Sequence, residues 1–157
     1  MNPQTAPNDR ASAPDYTVHV GDWAELGPAA QAVRGAVFVQ EQGIPAELEW
    51  DAADAWALHA LAVGPQGEPL ATGRALAHAP GVARIGRMAV QRAQRGTGIG
   101  RAVLDALLAA CRARGDTQAL LHAQASAVDF YLRAGFKAQG DAFMEAGIVH
   151  QEMVRKL

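Results

Sequence analysis

The stretch Arg95-Gly96-Thr97-Gly98-Ile99-Gly100 lies between an apolar segment at residues 84–90 and an amphipathic segment that begins near Gly98 and extends to about Arg114. The pattern predicts a strand before the stretch and a helix after it. A glycine-rich turn between a strand and a helix leaves several backbone N–H groups unpaired at the positive end of the helix dipole. Residues 95–100 are therefore predicted to bind an anion, and phosphate is the first hypothesis.

The neighbouring residues distinguish among the known phosphate-binding loops. A nucleoside triphosphate loop ends in Lys-Ser/Thr, whereas Gly100 is followed by Arg101 and Ala102. A dinucleotide-binding fold needs Gly-x-Gly-x-x-Gly and an acidic residue at the end of the next strand, but that strand, at residues 119–123, is followed by Gln124. Both classes are disfavoured. The remaining pattern is Arg/Gln-x-x-Gly-x-Gly/Ala, which residues 95–100 match.

A second motif follows at residues 127–136, which read Ala-Val-Asp-Phe-Tyr-Leu-Arg-Ala-Gly-Phe. In this order and at this separation, the two motifs resemble the GNAT superfamily of acyl-CoA-dependent N-acyltransferases. Residues 37–45 and 142–150 resemble a bacterial branch of it, the ElaA- and YjcF-like proteins. The resemblance extends over residues 16–157.

The predicted fold is α/β, with a mixed, mostly antiparallel sheet flanked by helices. Short turns predict antiparallel strands at residues 57–63, 70–77 and 82–90, and a crossover through the helix at residues 98–114 predicts that residues 119–123 pair in parallel. Further strands are predicted at residues 16–20, 136–139 and 149–155. Two other helices are predicted, at residues 29–40 after Pro28 and from an N-cap at Ser126 to Ala134. Residues 42–55 are expected to form an irregular loop, and residues 1–14 a disordered tail before a single domain at residues 15–157.

Composition limits the classes of function. The chain has 157 residues, of which 50% are apolar, and a formal net charge of −2. This balance argues against nucleic acid or an anionic membrane as a partner. The sequence contains neither a membrane-spanning stretch nor a signal peptide, so a cytoplasmic location is expected. The single cysteine, Cys111, lies on the apolar face of the predicted helix and is interpreted as a buried thiol.

The resemblance implies acetyl-CoA as the acyl donor. Arg95 is the arginine favoured to pair with the phosphates, ahead of Arg92 and Arg101. The resemblance also implies that the strand before the loop separates from its parallel neighbour, which exposes backbone groups to the pantetheine arm and the thioester. Many family members carry Asn where this chain has Gln124, so the resemblance does not by itself assign a cofactor contact to the Gln124 side chain. The predicted cofactor residues are Met88, Ala89, Val90, Arg95, Gly96, Thr97, Gly98, Ile99, Gly100, Arg101, Gln124 and Phe130.

Acyl transfer to an amine needs a base and a proton donor. The resemblance assigns the donor role to Tyr131, because the leaving thiolate, with a pKa of roughly 8.5, benefits from protonation. Tyr131 as a core aromatic is the alternative. Glu41 is the first choice for the base. The acidic loop that follows it, with Trp50 and Trp56, either attracts a cationic amine or is solvated. No two of the five histidines have the spacing of a metal site, so each is interpreted as a core or surface residue.

The sequence therefore predicts an N-acetyltransferase that moves an acetyl group directly to a primary amine of a small molecule or peptide. The alternative is an acyl-CoA-binding sensor or assembly module with the same fold. A homodimer would fit the family.

Overall fold

The computed structural model describes residues 15–157, and the predicted tail at residues 1–14 lies outside the described part. The strands are β1 (Thr17–Gly21), β2 (Leu58–Val63), β3 (Pro69–Ala79), β4 (Val82–Val90), β5 (Gln118–Gln124), β6 (Lys137–Ala138), β7 (Phe143–Glu145) and β8 (Ile148–Lys156). The α-helices are α1 (Trp23–Arg34), α2 (Ala46–Glu49), α3 (Ile99–Ala113) and α4 (Val128–Arg133).

The strands form one sheet in the order β1-β2-β3-β4-β5-β8-β6, and β7 pairs with β8. Strands β4 and β5 are parallel, and the other pairs are antiparallel. Tight turns join the antiparallel pairs β2-β3, β3-β4 and β7-β8, whereas α3 carries the chain back across the sheet between the parallel strands β4 and β5. The predicted fold class is confirmed.

The main core lies between α3 and the sheet. The apolar face of α3 is almost completely buried, at residues Ile99, Val103, Leu104, Leu107, Leu108 and Cys111. Burying each such aliphatic side chain contributes about 1.5–3 kcal/mol. Cys111 has no exposed surface, and burial raises the pKa of its thiol. The interpretation of Cys111 as a buried helical thiol is confirmed.

Two predicted helix starts are wrong. Helix α1 begins at Trp23 instead of after Pro28, because the Asp22 side chain caps it by accepting a hydrogen bond of 2.9 Å from the Glu25 N–H. Pro28 lies within the helix. Ser126 does not cap α4. It lies in a 3-10 turn (Ala125–Ala127), and Ala127 precedes α4 without a side-chain cap.

The chain after α1 departs most from the predicted pattern. The predicted helix at residues 29–40 ends at Arg34 and continues as a π-helical turn over Gly35–Glu41. Within the predicted loop at residues 42–55, the structure forms α2 and most of a 3-10 turn, Ala52–Trp56. π-helical turns occur frequently at functional sites because they change the direction of side chains. Here the turn directs Val37, Phe38 and Glu41 into the cavity described below.

Candidate active site

A cavity of about 1000 Å³ opens where β4 and β5 separate. The two strands pair from Val82 and Gln118 to Ile85 and Leu121, and the pairing ends there although both strands continue. The separation that the sequence resemblance implied is therefore present. Of the predicted site residues, nine line the cavity: Glu41, Met88, Ala89, Val90, Arg95, Gly100, Gln124, Phe130 and Tyr131.

A β-bulge lies in β4 beside this opening. Thr72 pairs with Ala89 and Arg74 with Gly86, so β4 contains one more residue than β3 over this span. Arg87 has a φ of 52°, a conformation that is rare for residues other than glycine. A bulge leaves the extra residue without a partner across the ladder and redirects the neighbouring groups. It lies next to Met88, where the sequence predicts backbone contacts to the cofactor.

The glycine-rich loop forms the other end of the cavity. Gly96 and Gly98 have φ values of 79° and 85°, and Gly98 precedes α3 without any side-chain cap. The first amides of α3 are consequently not capped by a side chain, which is the arrangement that binds anions at helix N-termini. The Thr97 hydroxyl donates to the Gln94 carbonyl at 2.6 Å and closes the loop on itself. Ile99 contributes its backbone to this loop, since its side chain is buried in the core.

Arg95 and Glu41 form an ion pair beside the loop. The Arg95 guanidinium donates to both Glu41 oxygens, at 2.7 and 2.9 Å, and to the Val90 carbonyl at 3.2 Å. The hydrogen bond from Arg95 holds the pKa of Glu41 below its usual value. A phosphate would compete with Glu41 for Arg95, so the phosphate role of Arg95 and the base role of Glu41 both stay predictions. Arg101 donates instead to Asp105 and to the Arg133 carbonyl.

Tyr131 and Phe130 both line the cavity. Their rings meet edge to face with centroids 5.0 Å apart, and Tyr131 makes a similar contact of 5.8 Å with Phe136. Tyr131 is 7% exposed, and burial raises the pKa of its hydroxyl. The hydroxyl therefore stays protonated at neutral pH, as a proton donor must.

The side chain of Gln124 is hydrogen-bonded to the side chain of Gln42. Its amide exchanges two hydrogen bonds with Gln42, at 2.9 and 3.3 Å. The pair links the end of β5 to the residue after the π-helical turn and closes one side of the cavity. A contact between Gln124 and the cofactor stays a prediction.

The acidic loop is neutralised by buried arginines, which corrects its interpretation as a solvated or amine-attracting patch. Arg34 bonds to Glu49 at 2.7 Å and to Asp54 at 2.8 Å, and Arg74 bonds to Asp51 at 2.6 Å and to Asp54 at 2.8 Å. Buried charges need such partners because desolvation is costly. The hydrogen bond from Arg74 lowers the pKa of Asp51 to about 2.

Arg87 and Trp50 complete this network. Arg87 lies 3.3 Å from Glu49 and 3.2 Å from Asp51. The guanidinium of Arg34 lies 5.2 Å from the ring centre of Trp50, so this tryptophan stacks on an arginine of the chain instead of on a substrate. A signal for the network was present in the sequence, because Arg34 and Arg74 interrupt apolar stretches, where a charge needs a partner.

Another part of the cavity wall contains a group that the sequence analysis missed: His122, Glu145 and His150, with Glu152 bonded to His122 outside the lining. Arg84 donates to Nδ1 of His122 at 3.0 Å. A guanidinium can only donate, so Nδ1 accepts, and the proton of the neutral ring lies on Nε2, 3.1 Å from Glu152 Oε2. Glu152 thus holds the ring in one tautomer and orientation, as the aspartate of a catalytic triad does for its histidine.

His150 and Glu145 lie next to His122. His150 donates through Nδ1 to the Ile148 carbonyl at 2.8 Å, which leaves Nε2 of the neutral ring with its lone pair. Glu145 Oε2 is 3.6 Å from this Nε2 and 3.8 Å from His122 Nδ1. Glu145 Oε2 therefore lies within 4 Å of a nitrogen of each ring, and the His122 nitrogen already accepts a hydrogen bond from Arg84. Sequence separation hid these three cavity residues, since His122 lies on β5 whereas the other two flank the turn between β7 and β8.

That turn is itself unusual. Glu145 pairs with Ile148, so two residues, Ala146 and Gly147, connect β7 to β8, and both have positive φ, at 50° and 75°. Two-residue turns of this kind favour Asn-Gly, because positive φ is strained for alanine. Strained residues of this type are frequent at functional sites. Ala146 lines the cavity directly after Glu145.

Among residues 15–157, no group of three or more His, Cys, Asp or Glu side chains has an arrangement that could hold a metal ion. Over the same residues, no helix has both the length and the apolar character that crossing a membrane requires.

The separated parallel strands, the bulge and the uncapped glycine loop belong to a mixed α/β fold of the GNAT acetyltransferase type, and comparison with known proteins agrees. The acetyltransferase (GNAT) domain family matches residues 39–157, so the chain belongs to that family.

Its relatives place it more narrowly in the bacterial ElaA- and YjcF-like branch, which confirms the sequence resemblance. The uncharacterized N-acetyltransferase YjcF of Bacillus subtilis is 32% identical over 124 residues, which cover 78% of this chain and 87% of that protein. An acyl-CoA N-acyltransferase structure from Pseudomonas aeruginosa shares 34% identity with a TM-score of 0.78, covering 89% of this chain and 99% of that one. The Escherichia coli ElaA structure shares 29% identity with a TM-score of 0.79 and the same coverage.

Proposed function

We propose that this protein transfers the acetyl group of acetyl-CoA directly to a primary amine. The observation that carries the proposal is a single cavity that joins three features. It includes the opening between β4 and β5, it reaches the uncapped N-terminus of α3 at Gly100, and it is lined by the protonated hydroxyl of Tyr131. A donor site and a proton donor in one cavity are what acyl transfer requires.

The described residues fit the cofactor. The positive φ of Gly98 and the open space around it leave room for a diphosphate at the α3 amides. The bulged end of β4 offers backbone groups to the amides of pantetheine, as an additional strand would. Acetyl-CoA, when bound, supplies the acetyl group as a reactive thioester. The proposed cofactor contacts are those predicted from the sequence: Met88, Ala89, Val90, Arg95, Gly96, Thr97, Gly98, Ile99, Gly100, Arg101, Gln124 and Phe130.

The acceptor amine is proposed to bind at the part of the cavity wall that holds His122, Glu145 and His150. A primary ammonium has three N–H donors, and Glu145 Oε2, which lies 3.6 Å from His150 Nε2 and 3.8 Å from His122 Nδ1, places a carboxylate beside two ring nitrogens. An amine with a pKa of about 10 arrives protonated, so a base must first accept a proton. The carboxylate favours binding of the ammonium, whereas a ring nitrogen with a free lone pair can take its proton.

The proposed transfer balances its protons through two side chains. The ammonium loses one proton to a base, and the neutral amine then forms the C–N bond as the C–S bond of the thioester breaks. The hydroxyl of Tyr131 protonates the departing sulfur, and the second amine proton replaces the one that Tyr131 gave. The products are an amide and a free thiol, and no covalent intermediate forms on the protein.

Two residues are candidates for the base. Glu41 is the residue that the sequence predicts, but Arg95 occupies both of its oxygens. Nδ1 of His122 lies beside Glu145, and Glu152 orients the ring, but Arg84 donates to the lone pair of this Nδ1. We favour His122 because one hydrogen bond must be released to free its Nδ1, whereas Arg95 bonds to both oxygens of Glu41, and Glu41 then positions Arg95.

Replacing each candidate separates these roles. We expect His122→Gln to lower kcat by ~10²-fold or more, because general base catalysis contributes about that much, and to leave the Kd for acetyl-CoA nearly unchanged. Glu41→Gln is expected to change mainly the Kd, because it releases Arg95. Steady-state kinetics and calorimetry of both variants provide the test. A large loss of kcat in Glu41→Gln together with an active His122→Gln would assign the base to Glu41.

The proposed function itself is tested with purified protein, acetyl-CoA and a panel of amines. We expect acetyl-CoA to raise the melting temperature and free CoA thiol to accumulate with at least one amine. Stabilisation by acetyl-CoA without thiol release from any amine would support the alternative, a non-catalytic acyl-CoA sensor or assembly module. Absence of stabilisation and of thiol release would contradict both.

Three expectations about partners stay part of this proposal. The resemblance implies a homodimer, the net charge of −2 predicts no nucleic-acid or membrane partner, and the sequence predicts a cytoplasmic location.

A further inference from the structure

Arg84 differs from the other arginines that line the cavity. Three of these arginines form ion pairs with carboxylates: Arg74 with Asp51 and Asp54, Arg87 with Glu49 and Asp51, and Arg95 with Glu41. Among residues 15–157, Arg84 has no carboxylate within 4.0 Å, and the hydrogen bond that it makes goes to the neutral ring of His122. The cavity wall therefore carries a partly buried guanidinium without a carboxylate in direct contact, and Glu152, whose pKa is lowered by its side-chain hydrogen bonds, is near enough for Arg84 to contribute to that lowering.

The position of Arg84 limits what that partner can be. Its guanidinium is a planar fork that binds carboxylates through two parallel hydrogen bonds. It lies on β4 just before the strands separate, opposite Leu120 in the parallel register. An anion on a bound ligand would give this half-buried charge the ion pair that it lacks among the described residues.

The unpaired cation and the proposed ammonium site share one atom. Nδ1 of His122 is 3.0 Å from Arg84 Nη2 and 3.8 Å from Glu145 Oε2. The cavity thus offers a positive and a negative group within 4 Å of a single ring nitrogen. A ligand that satisfies both must carry its own opposite charges close together.

We infer that the acceptor is an amine with a carboxylate beside it, as in an α-amino acid. Arg84 binds the carboxylate, and Glu145 with His150 binds the ammonium. This inference rests on the proposed function and specifies the substrate class of the same site.

The arrangement also couples recognition to proton transfer. Arg84 donates to His122 Nδ1 while no carboxylate is bound. When the guanidinium turns to a substrate carboxylate, the lone pair of Nδ1 becomes free to accept a proton from the ammonium. An amine without a carboxylate leaves Arg84 on His122 and the base occupied.

The test compares matched acceptors in the thiol-release assay. A panel of free L-amino acids is screened with acetyl-CoA, and the best acceptor is then compared with its own carboxamide and its decarboxylated amine. We expect kcat/KM to be at least ~10-fold higher for the amino acid than for either analogue, because a hydrogen-bonded ion pair to carboxylate is lost in both. The difference is expected in both KM and kcat, because each analogue loses the ion pair and also leaves Arg84 on the base.

Arg84→Met should reduce the ratio of kcat/KM between the amino acid and its decarboxylated analogue toward one, and Arg84→Lys should restore part of it. Arg114→Met is the matched control, because Arg114 pairs with Asp116 at the distant end of α3, and it should keep the wild-type ratio. A melting curve for each variant establishes that it is folded.

The outcomes distinguish this inference from the proposal on which it rests. Thiol release with simple amines, and none or no preference with amino acids, would overturn the inference and leave acetyl transfer standing. A preference for amino acids that persists in Arg84→Met would overturn the role of Arg84. If no acceptor of any class leads to thiol release, both proposals are overturned.

Discussion

Replacing Tyr131 by Phe is expected to lower kcat by ~10²–10⁴-fold, the range that one general acid contributes. The ring of Tyr131 packs edge to face against Phe130 and Phe136, and a phenylalanine ring keeps both contacts. The substitution therefore removes only the hydroxyl, the group that is proposed to protonate the departing sulfur. The Kd for acetyl-CoA should therefore change by less than about threefold, within the few tenths of a kcal/mol typical of a tolerated substitution. Thiol-release kinetics and calorimetry measure the two quantities separately.

Tyr16→Phe is the matched control for this variant. Tyr16 is also partly buried against the main core, on the chain before β1, but it is not among the residues that line the cavity. Removing the hydroxyl of Tyr16 should leave kcat unchanged. If Tyr131→Phe instead weakens cofactor binding as much as it slows transfer, Tyr131 has a binding or structural role and is not the acid.

Replacing Gly98 by Val is expected to weaken acetyl-CoA binding by roughly 100-fold or more, since a strained backbone position costs about 1–3 kcal/mol and each lost hydrogen bond to a charged group adds to this. Gly98 has a φ of 85°, which a β-branched residue does not tolerate, so the loop must adopt another conformation. The amides of α3 would then no longer converge, and the valine side chain would lie beside them. Calorimetric titration with CoA measures the effect.

Gly67→Val separates backbone strain from site disruption. Gly67 has a φ of 79° and, like Gly98, open space around it, but it lies in the turn between β2 and β3. This control should lose a similar amount of thermal stability and keep its affinity for CoA. An equal loss of affinity in the two variants, or tight binding by Gly98→Val, would contradict the assignment of the anion site to this loop.

The features that the sequence predicted well are encoded by neighbouring residues. The apolar periodicity of α3, with Val103, Leu104 and Leu107 on one face, predicted both the helix and its core. Glycines 96 and 98 predicted the uncapped turn because positive φ is a property of single residues. The connections predicted the directions of β2 to β5, since tight turns make β2, β3 and β4 antiparallel and the crossover through α3 makes β4 and β5 parallel.

The errors have a different physical origin. Pro28 is common at the start of helices, but Asp22 supplied the cap earlier in the chain, and the helix formed through the proline. The acidic segment at residues 47–54 looked solvated because Arg34, Arg74 and Arg87, which neutralise it, are distant in sequence. Buried ion pairs depend on which elements pack together, and composition does not contain that information.

The two ends of the cavity differ in whether the sequence alone or the tertiary structure determines them. Local backbone geometry and apolar periodicity act over a few residues, so the order of the elements and the uncapped glycine-rich loop could be predicted from the chain alone. The proposed acceptor end could not, because Arg84, His122, Glu145 and His150 lie on four different strands, β4, β5, β7 and β8. The register of β4, β5 and β8, and the need of each buried charge for a partner, brought them together, and these are long-range interactions that the folded sheet establishes.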